Sequence, residues 1–353
     1  MTAPVVFDGH NDCLLRLHMD GRPEAINEFL SRHAPGHIDL AKAKAGNLCG
    51  GLFAIFPPSP RGGLDFSRFG TSGYEIPLPA PLEIAGATAA TIAMAAILFQ
   101  LERSSNGRFR VCRSVEDIRS AWNAGAMAAV MHIEGAEAID TDLAMLEVLY
   151  AAGLRSIGMV WSRNNIFAHG VPMCFPSSPD IGDGLTQAGK RLVKRCNELG
   201  ILLDLSHLNE QGFWDVARLS DAPLVATHSN VHAICPVSRN LTDQQLAAIA
   251  ESKGVVGLNF ATAFLREDGS MDANTGLDVM IRHLDGLVER LGEDGVALGS
   301  DFDGAVIPEP IGDARGLPKL FEAMRTHGYG ETLIAKIAHE NWLSVLERTW
   351  KQA

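Results

Sequence analysis

The chain has 353 residues, of which 46% are hydrophobic and 20% are charged, as in a compact protein with a large core. Its formal net charge of −12 and the scatter of its 30 Lys and Arg residues argue against a nucleic-acid or membrane-surface partner, because an acidic surface repels phosphate backbones and anionic lipids. Six widely spaced cysteines without a CxxC pair predict reduced thiols rather than a disulfide framework.

Eight runs rich in apolar and β-branched residues predict buried parallel strands, which show continuous rather than alternating hydrophobicity. They lie at 4–8, 48–56, 127–134, 154–161, 200–206, 223–228, 254–260 and 295–301. Helical patterns between them lie at 185–199, 208–219, 242–253 and 276–291. Strands that alternate with helices about eight times predict an α/β fold, a (β/α)₈ or TIM barrel, formed by residues 1–353 as one domain.

No targeting segment is visible in the sequence. The N-terminal run MTAPVVFDGH enters the first predicted strand without a basic-then-apolar leader. The most apolar stretch, 84–99, falls short of the ~20 residues that span a bilayer, so we expect a helix packed on the barrel. These features predict a cytoplasmic protein with no membrane partner.

Two long segments interrupt the simple repeat of strands and helices. Residues 57–82 form a Pro/Gly-rich excursion after the second predicted strand, and residues 162–184 form another after the fourth. Loops of this length in a compact domain usually serve function. We therefore expect both to lie over the barrel rim where the strands end.

Side chains that bind metals stand at the ends of four predicted strands. They are His10 and Asp12 in VVFDGHND, Glu134 in AAVMHIEGA, His207 in ILLDLSH and His228 in LVATHSN. The carboxyl ends of barrel strands meet at one rim, where enzymes of this architecture keep their active sites. Each residue alone is more often structural than a ligand, but together they predict two adjacent divalent ions, with the carboxylate of Glu134 bridging them.

Other polar residues complete the predicted site. Asp301, in GSDFDG after the eighth strand, can accept a proton or hold an ammonium group, and Asp303 is expected to brace the same turn. Arg239, in PVSRNLTD, suits a substrate carboxylate, although a salt bridge with Asp243 at a helix start explains it nearly as well. His132 is expected one layer deeper in the barrel, as a structural residue.

The pattern resembles the membrane (renal) dipeptidase family, peptidase family M19, zinc peptidases on an amidohydrolase-like barrel. The motifs that carry the resemblance are DGHND, HIEGAEAI, GLTQAGKRLVKRCNELGILLDLSH, THSNVHAICPVSRNLTD, GSDFDG and HENWLSVL, in the family's order over nearly the whole chain. The resemblance implies one zinc ion on His10, Asp12 and Glu134, and a second on Glu134, His207 and His228. It also implies a homodimer.

The resemblance further implies a substrate and the roles of two residues. The expected substrates are dipeptides, including those with a D-residue at the C-terminal position. Arg239 would hold the substrate's carboxylate, and Asp301 would hold its free amine or shuttle the proton between the nucleophile and the leaving amine. Glu134 and Asp301 are therefore the predicted catalytic residues.

The chain departs from the family at one functional position. Relatives carry a histidine just after the fourth strand that contacts the substrate carbonyl, whereas Trp161 takes this position in GMVWSRNN. An indole N–H can donate one hydrogen bond, so Trp161 is a predicted substrate contact. His169, eight residues further on, is a second candidate if the loop folds back.

Two alternative functions follow from these observations. The substitution at position 161 favours another amidohydrolase activity on the same metals, such as hydrolysis of N-acyl amino acids or lactones. A protein that binds metal or peptide without catalysis is the alternative from a different class.

Overall fold

The structure is a computed structural model that describes residues 4–31, 34–60, 68–69 and 73–350. The strands within these residues are β1 (Val6–Asn11), β2 (Leu48–Ile55), β3 (Tyr74–Ile76), β4 (Phe109–Val111), β5 (Met127–Glu134), β6 (Leu154–Gly158), β7 (Met173–Phe175), β8 (Leu202–Asp204), β9 (Val225–Ser229), β10 (Val255–Asn259) and β11 (Val296–Gly299). Eight of them pair in parallel in the order β1, β2, β5, β6, β8, β9, β10 and β11.

Two backbone hydrogen bonds join the ends of β1 and β11 and close the ring of strands. The amide of Asp301 donates to the His10 carbonyl at 3.0 Å, and the amide of Asp12 donates to the Phe302 carbonyl at 2.8 Å. The predicted (β/α)₈ barrel is confirmed, and each predicted barrel strand overlaps an observed one. The bonds also bring Asp301 beside His10 and Asp12, so they assemble part of the predicted site.

Helices cover the outside of the barrel. They are α1 (Cys13–Asp20), α2 (Ala25–Leu30), α3 (Leu40–Ala45), α4 (Ile84–Ser104), α5 (Val115–Asn123), α6 (Ala144–Ala152), α7 (Gln187–Leu199), α8 (Glu210–Leu219), α9 (Asp243–Glu251), α10 (Thr262–Leu265), α11 (Leu277–Leu291), α12 (Leu317–His327), α13 (Glu331–Ala335) and α14 (Asn341–Thr349). Local sequence sets their ends: Thr186 caps α7, Gly200 ends it in the left-handed region, and Thr242 with Gln245 forms a capping box on α9.

Helix α4 differs from the sequence-based expectation. It has 21 residues and a mean hydropathy of 1.8 in its most apolar window, so by length and composition it could span a bilayer. Among the described residues, it is the sole helix that meets this test. The expectation that this segment is too short to span a bilayer was wrong, because the helix continues past Phe99 to Ser104. The expected packing holds for one face, where Met94 and Leu98 are buried, while Ile92 on the other face is exposed.

Two short strands connect the long loops that follow β2 and β6. β3 pairs with β7 in antiparallel register, with Tyr74 opposite Phe175, so the segments 57–82 and 162–184 are joined by backbone hydrogen bonds. Parts of the first segment, 61–67 and 70–72, lie outside the described residues. The described parts of both segments reach the carboxyl end of the barrel, because Pro58, Ser59 and Met173 line the cavity there.

A buried tryptophan closes the opposite, amino-terminal end of the barrel. Trp342 of α14 is fully buried, and its indole N–H donates to the Leu298 carbonyl at 2.9 Å. The ring packs against Gly9, where a Cβ would collide with it. All six cysteines are free thiols, and five of them are buried.

Candidate metal centre and active site

The strand ends bring the five predicted metal ligands together. His10 lies in β1 and Asp12 follows it, and residues two apart on an extended segment point the same way. Glu134 is the last residue of β5, His228 lies near the end of β9, and His207 follows β8. All five are buried at the carboxyl end of the barrel.

The two carboxylate oxygens of Glu134 face different ligands. Oε2 lies 3.8 Å from His10 Nε2, which in turn lies 3.5 Å from Asp12 Oδ2. Oε1 lies 3.0 Å from His207 Nε2 and 3.4 Å from His228 Nε2. Glu134 therefore stands between two groups of ligands, one from β1 and one from β8 and β9, as a bridging carboxylate must.

Hydroxyl groups orient the two histidines on β8 and β9. Ser162 Oγ lies 3.0 Å from His207 Nδ1, and Thr227 Oγ1 lies 2.8 Å from His228 Nδ1. Thr227 also donates to Asp204 Oδ2 at 2.6 Å. Fixing Nδ1 leaves Nε2 of each ring directed at Glu134, and such outer contacts tune metal affinity. Sequence reasoning missed Ser162 and Thr227, whose only signal was adjacency to the candidate residue 161 and to His228.

Buried charges in the cluster are poorly compensated by the protein alone. Burial lowers the pKa of His207 and of His228 well below the usual value, with Arg239 and His10 adding to the effect. Burial opposes the positive charge of His10, but Glu134, Asp12 and Asp301 outweigh it and raise the pKa of His10 to about 10. Burial raises the pKa of Glu134 and that of Asp301.

The site also contains buried polar atoms that a bound cation could contact. Both ring nitrogens of His10 and Oδ1 of Asp12 are buried and have no hydrogen-bond partner among the residues that the structure describes. Three imidazoles and two carboxylates form a donor set that suits Zn²⁺ and similar divalent ions. The residues present therefore fit a metal centre, and sets such as His10, Glu134 and His228 place one donor atom each within 4.8 Å of one another.

His132 lies beneath the ligands, as expected from its place two residues before Glu134. Its Nδ1 lies 2.9 Å from Ser156 Oγ, and its Nε2 lies 3.7 Å from Asp204 Oδ2. Burial lowers the pKa of His132 to about 3, so the ring is neutral at physiological pH. Asp204 accepts a hydrogen bond from Thr227, whose hydroxyl also contacts His228 Nδ1.

Asp301 lies beside His10 and Asp12 and is held in a fixed orientation. The three residues place donor atoms within 4.8 Å of one another. Asn259 Nδ2 donates to Asp301 Oδ2 at 3.0 Å. The backbone of Asp301 has φ +57, a left-handed conformation that is uncommon outside glycine and often marks functional sites. Its neighbour Asp303 braces the turn through a 2.9 Å ion pair with Arg16, as predicted.

Arg239 is buried and partly paired. Its Nη1 donates to Ser229 Oγ at 2.8 Å and its Nη2 to the His228 carbonyl at 2.9 Å, while its Nε has no partner within the described part of the chain. Burial lowers the pKa of Arg239 to about 10. The alternative role at a helix start is excluded, because Asp243 pairs with Arg290 at 2.7 Å instead.

A cavity of about 470 Å³ lies over the metal ligands. Asp12, Glu134, His207 and Asp301 line one side of it. Much of the remaining wall is apolar and includes Phe56, Trp161, Met173, Phe264, Met271 and Val306. The cavity is large enough for a small peptide and places it against the ligand cluster.

Trp161 lies where the sequence predicts a substrate contact, and His169 does not. The Trp161 ring lines the cavity, with its centroid 6.0 Å from that of His207. The His169 ring lies against Gly182, where an added Cβ would be 3.1 Å from Nδ1, and it is not among the described residues that line the cavity. The ring of His169 lies toward residue 182, so the cavity lining gives no support to the prediction that His169 replaces the family's histidine.

Comparison with known proteins assigns this geometry to a family. The model of the membrane dipeptidase family, peptidase family M19, matches residues 1–353. The chain belongs to this family. The resemblance seen in the sequence is thereby confirmed, as is the prediction of a metallo-dipeptidase.

Solved structures within the M19 family have the same fold. The dipeptidase AC, an M19 metallopeptidase, is 54% identical and superposes with a TM-score of 0.96, covering 99% of each chain. A metallopeptidase from Rhodobacter sphaeroides bound to a phosphinate mimic of L-Ala-D-Ala is 53% identical with a TM-score of 0.96, covering 99% of this chain and 100% of that one. An uncharacterised protein from the pqqA 5′ region of Klebsiella pneumoniae is 51% identical over 257 residues, 73% of this chain and 95% of that protein.

Proposed function

We propose that this M19 dipeptidase uses two zinc ions per chain to hydrolyse dipeptides and accepts a D-residue at the C-terminal position. The observation that carries the two-ion proposal is the division of Glu134: Oε2 faces His10, and Oε1 faces His207 and His228. A carboxylate whose two oxygens face different groups of donor atoms can bridge two ions, and this orientation supports the proposal.

The ligands divide into two sets. His10, Asp12 and Glu134 would hold one ion, and Glu134, His207 and His228 the other. When bound, such ions supply Lewis acidity and lower the pKa of water toward neutrality. Bound ions would also offset the negative charge of the buried carboxylates.

We assign Asp301 to the substrate's amine and Arg239 to its carboxylate; Asp301 lines the cavity, and Arg239 is buried and is not among the described residues that line it. Asp301 stands beside the first set of ligands and is oriented by Asn259, so its carboxylate can hold the substrate's ammonium group or carry the proton that the leaving amine requires. Arg239 stands behind the second set with its Nε free to donate. A cation at one end and an anion at the other favour a substrate with a free amine and a free carboxylate.

Tolerance of a D-residue is supported by the relative from Rhodobacter sphaeroides. That protein binds a phosphinate mimic of L-Ala-D-Ala and is 53% identical over almost the whole chain. A panel of L,L and L,D dipeptides, with the metal content measured on the same sample, tests both parts of the proposal. Bound zinc at two per chain with turnover of Ala-D-Ala is the expected result.

Substitution Asp301→Asn tests the proposed mechanism. We expect kcat to fall by a factor of about 10² or more with both metals still bound, because an amide cannot accept the proton. Unchanged turnover with full metal content would exclude the proposed role.

N-acetylated dipeptides should be poor substrates of the wild type, whereas efficient cleavage of them would favour the N-acyl amino acid alternative raised by Trp161.

We also propose that the chain forms a homodimer, which the family resemblance supports. Light scattering after size-exclusion chromatography should give a particle of twice the chain's mass. A particle of single mass at micromolar concentration would refute it.

A further inference from the structure

A fully buried ion pair lies directly behind the apolar wall of the cavity. Arg163 and Glu137 have almost no exposed side-chain surface, and Arg163 Nε donates to Glu137 Oε1 at 2.9 Å. Neither residue is a metal ligand or lines the cavity among the described residues. Gly135 makes the pair possible: its backbone has φ +93, and a Cβ there would collide with the Glu137 carboxylate.

The guanidinium of Arg163 holds the first part of the segment after β2. Nη1 donates to Ser59 Oγ and Nη2 donates to the Pro57 carbonyl, each at 3.0 Å. These bonds connect residues more than 100 positions apart in the sequence. Arg163 therefore links three parts of the rim: the ends of β2, β5 and β6.

Arg163 also contacts the two aromatic rings of the wall. Its Cζ lies 5.5 Å from the centroid of the Phe56 ring and 5.7 Å from that of the Trp161 ring, within range of a cation–π interaction. The two rings meet edge to face with their centroids 4.9 Å apart. The arginine thus fixes both rings from behind while their other surfaces line the cavity.

Trp161 differs from the other four tryptophans in one respect. Trp122, Trp214, Trp342 and Trp350 each donate an indole hydrogen bond to the protein. Trp161 has no such bond in the described part of the chain, and its Nε1 is not among the fully buried unpartnered atoms. Its position is therefore set by packing on Phe56 and Arg163 rather than by a hydrogen bond of its own.

We propose that the Arg163–Glu137 pair is a positioning device that fixes Phe56, Trp161 and Ser59 as a rigid wall, and that this wall selects dipeptides carrying a large apolar side chain. The proposal rests on the proposed dipeptidase function and names its substrate preference. A buried ion pair is rarely kept for stability alone, because desolvation of two charges offsets most of their attraction. Here the ion pair holds Arg163 in place, so that its planar guanidinium makes three directed hydrogen bonds at once.

Steady-state kinetics on Ala-Ala, Leu-Ala and Ala-Leu test the proposal. We expect the wild type to favour at least one leucine-containing substrate over Ala-Ala by about tenfold in kcat/KM, because burial of the added methylene and methyl groups is favourable. Arg163→Lys keeps the charge beside Glu137 but cannot form the three-way contact. This variant should lose most of the preference through a higher KM for the leucine substrate, with kcat for Ala-Ala changed less than about threefold.

Two further variants keep the test decisive if Arg163→Lys folds poorly. Ser59→Ala removes one of the three bonds at a partly exposed site and should lose part of the preference in the same direction. Arg119→Ala removes an exposed arginine whose ion pair, among the described residues, is with the exposed Glu347, so it should behave as the wild type.

The outcomes separate the two proposals. Two results would refute the proposal that the wall selects large apolar side chains, and dipeptide hydrolysis would still stand after either. In the first, the wild type shows equal kcat/KM for all three substrates; in the second, Arg163→Lys loses activity equally on all three. No turnover of any dipeptide by the metal-loaded wild type overturns both.

Discussion

The substitution Arg239→Met tests whether Arg239 recognises the substrate's carboxylate. The guanidinium has five N–H groups, and two of them are used by Ser229 and the His228 carbonyl, so Nε and others remain for a ligand. Two hydrogen bonds between charged groups contribute about 1.5 to 3 kcal/mol each. Because each 1.4 kcal/mol is a factor of ten, kcat/KM should fall by a factor of about 10² to 10⁴.

The loss should appear mainly in KM, since a carboxylate remote from the scissile bond is bound equally in the ground and transition states. The assay is steady-state kinetics on Ala-Ala and on its C-terminal amide. Metal content is measured on each sample, because Arg239 also donates to the carbonyl of His228, a predicted metal ligand. The amide should be poor for the wild type and equally poor for the variant. Arg290→Met, which removes a partly exposed arginine bound to Asp243, is the matched control. A loss below tenfold on Ala-Ala, or a wild type that cleaves the amide as well as the acid, refutes the assigned role.

Three other substitutions probe the metal centre and the core. Glu134→Gln should reduce the metal content below two per chain, as measured by mass spectrometry of the metals, because an amide is a weak bridging ligand; retention of two ions would contradict the bridge. Ser162→Ala should weaken metal binding about 10- to 100-fold in a chelator competition by releasing His207 Nδ1, whereas Ser344→Ala on the exposed face of α14 should not. Trp342→Phe should lower the free energy of unfolding in urea by about 2 to 4 kcal/mol, because it leaves a void and an unpaired buried carbonyl; a change below 1 kcal/mol would show that the barrel end adjusts.

The barrel and the convergence of the five predicted metal ligands were predictable because they follow from local sequence and one geometric rule. Each strand is a short apolar run, and parallel strands in a barrel place their carboxyl ends at one rim. His207 and His228 therefore become neighbours once β8 and β9 are recognised, without any knowledge of their rotamers. Asp301 required the closure of the ring between β11 and β1, which the count of eight strands already implied.

The contacts that orient the site were not predictable, because they join residues far apart in the sequence through rotamers that only the folded chain selects. Ser162 meets His207 from 45 positions away, and Arg163 meets Ser59 from 104 positions away. The position of the His169 ring was not predictable for the same reason. Its distance along the chain from residue 161 suggested proximity, but the path of the loop directs its ring to Gly182.

Three consecutive residues after β6 show why position 161 has to be understood with its neighbours. β6 ends at Gly158, and the chain then turns so that Trp161 faces the cavity, Ser162 faces His207 and Arg163 faces Glu137 behind the wall. The placements of the Trp161, Ser162 and Arg163 side chains thus depend on one short backbone path. A histidine at position 161 would lose the ring surface that packs on Phe56 and Arg163, so the tryptophan contributes an apolar surface to the cavity that a histidine would not.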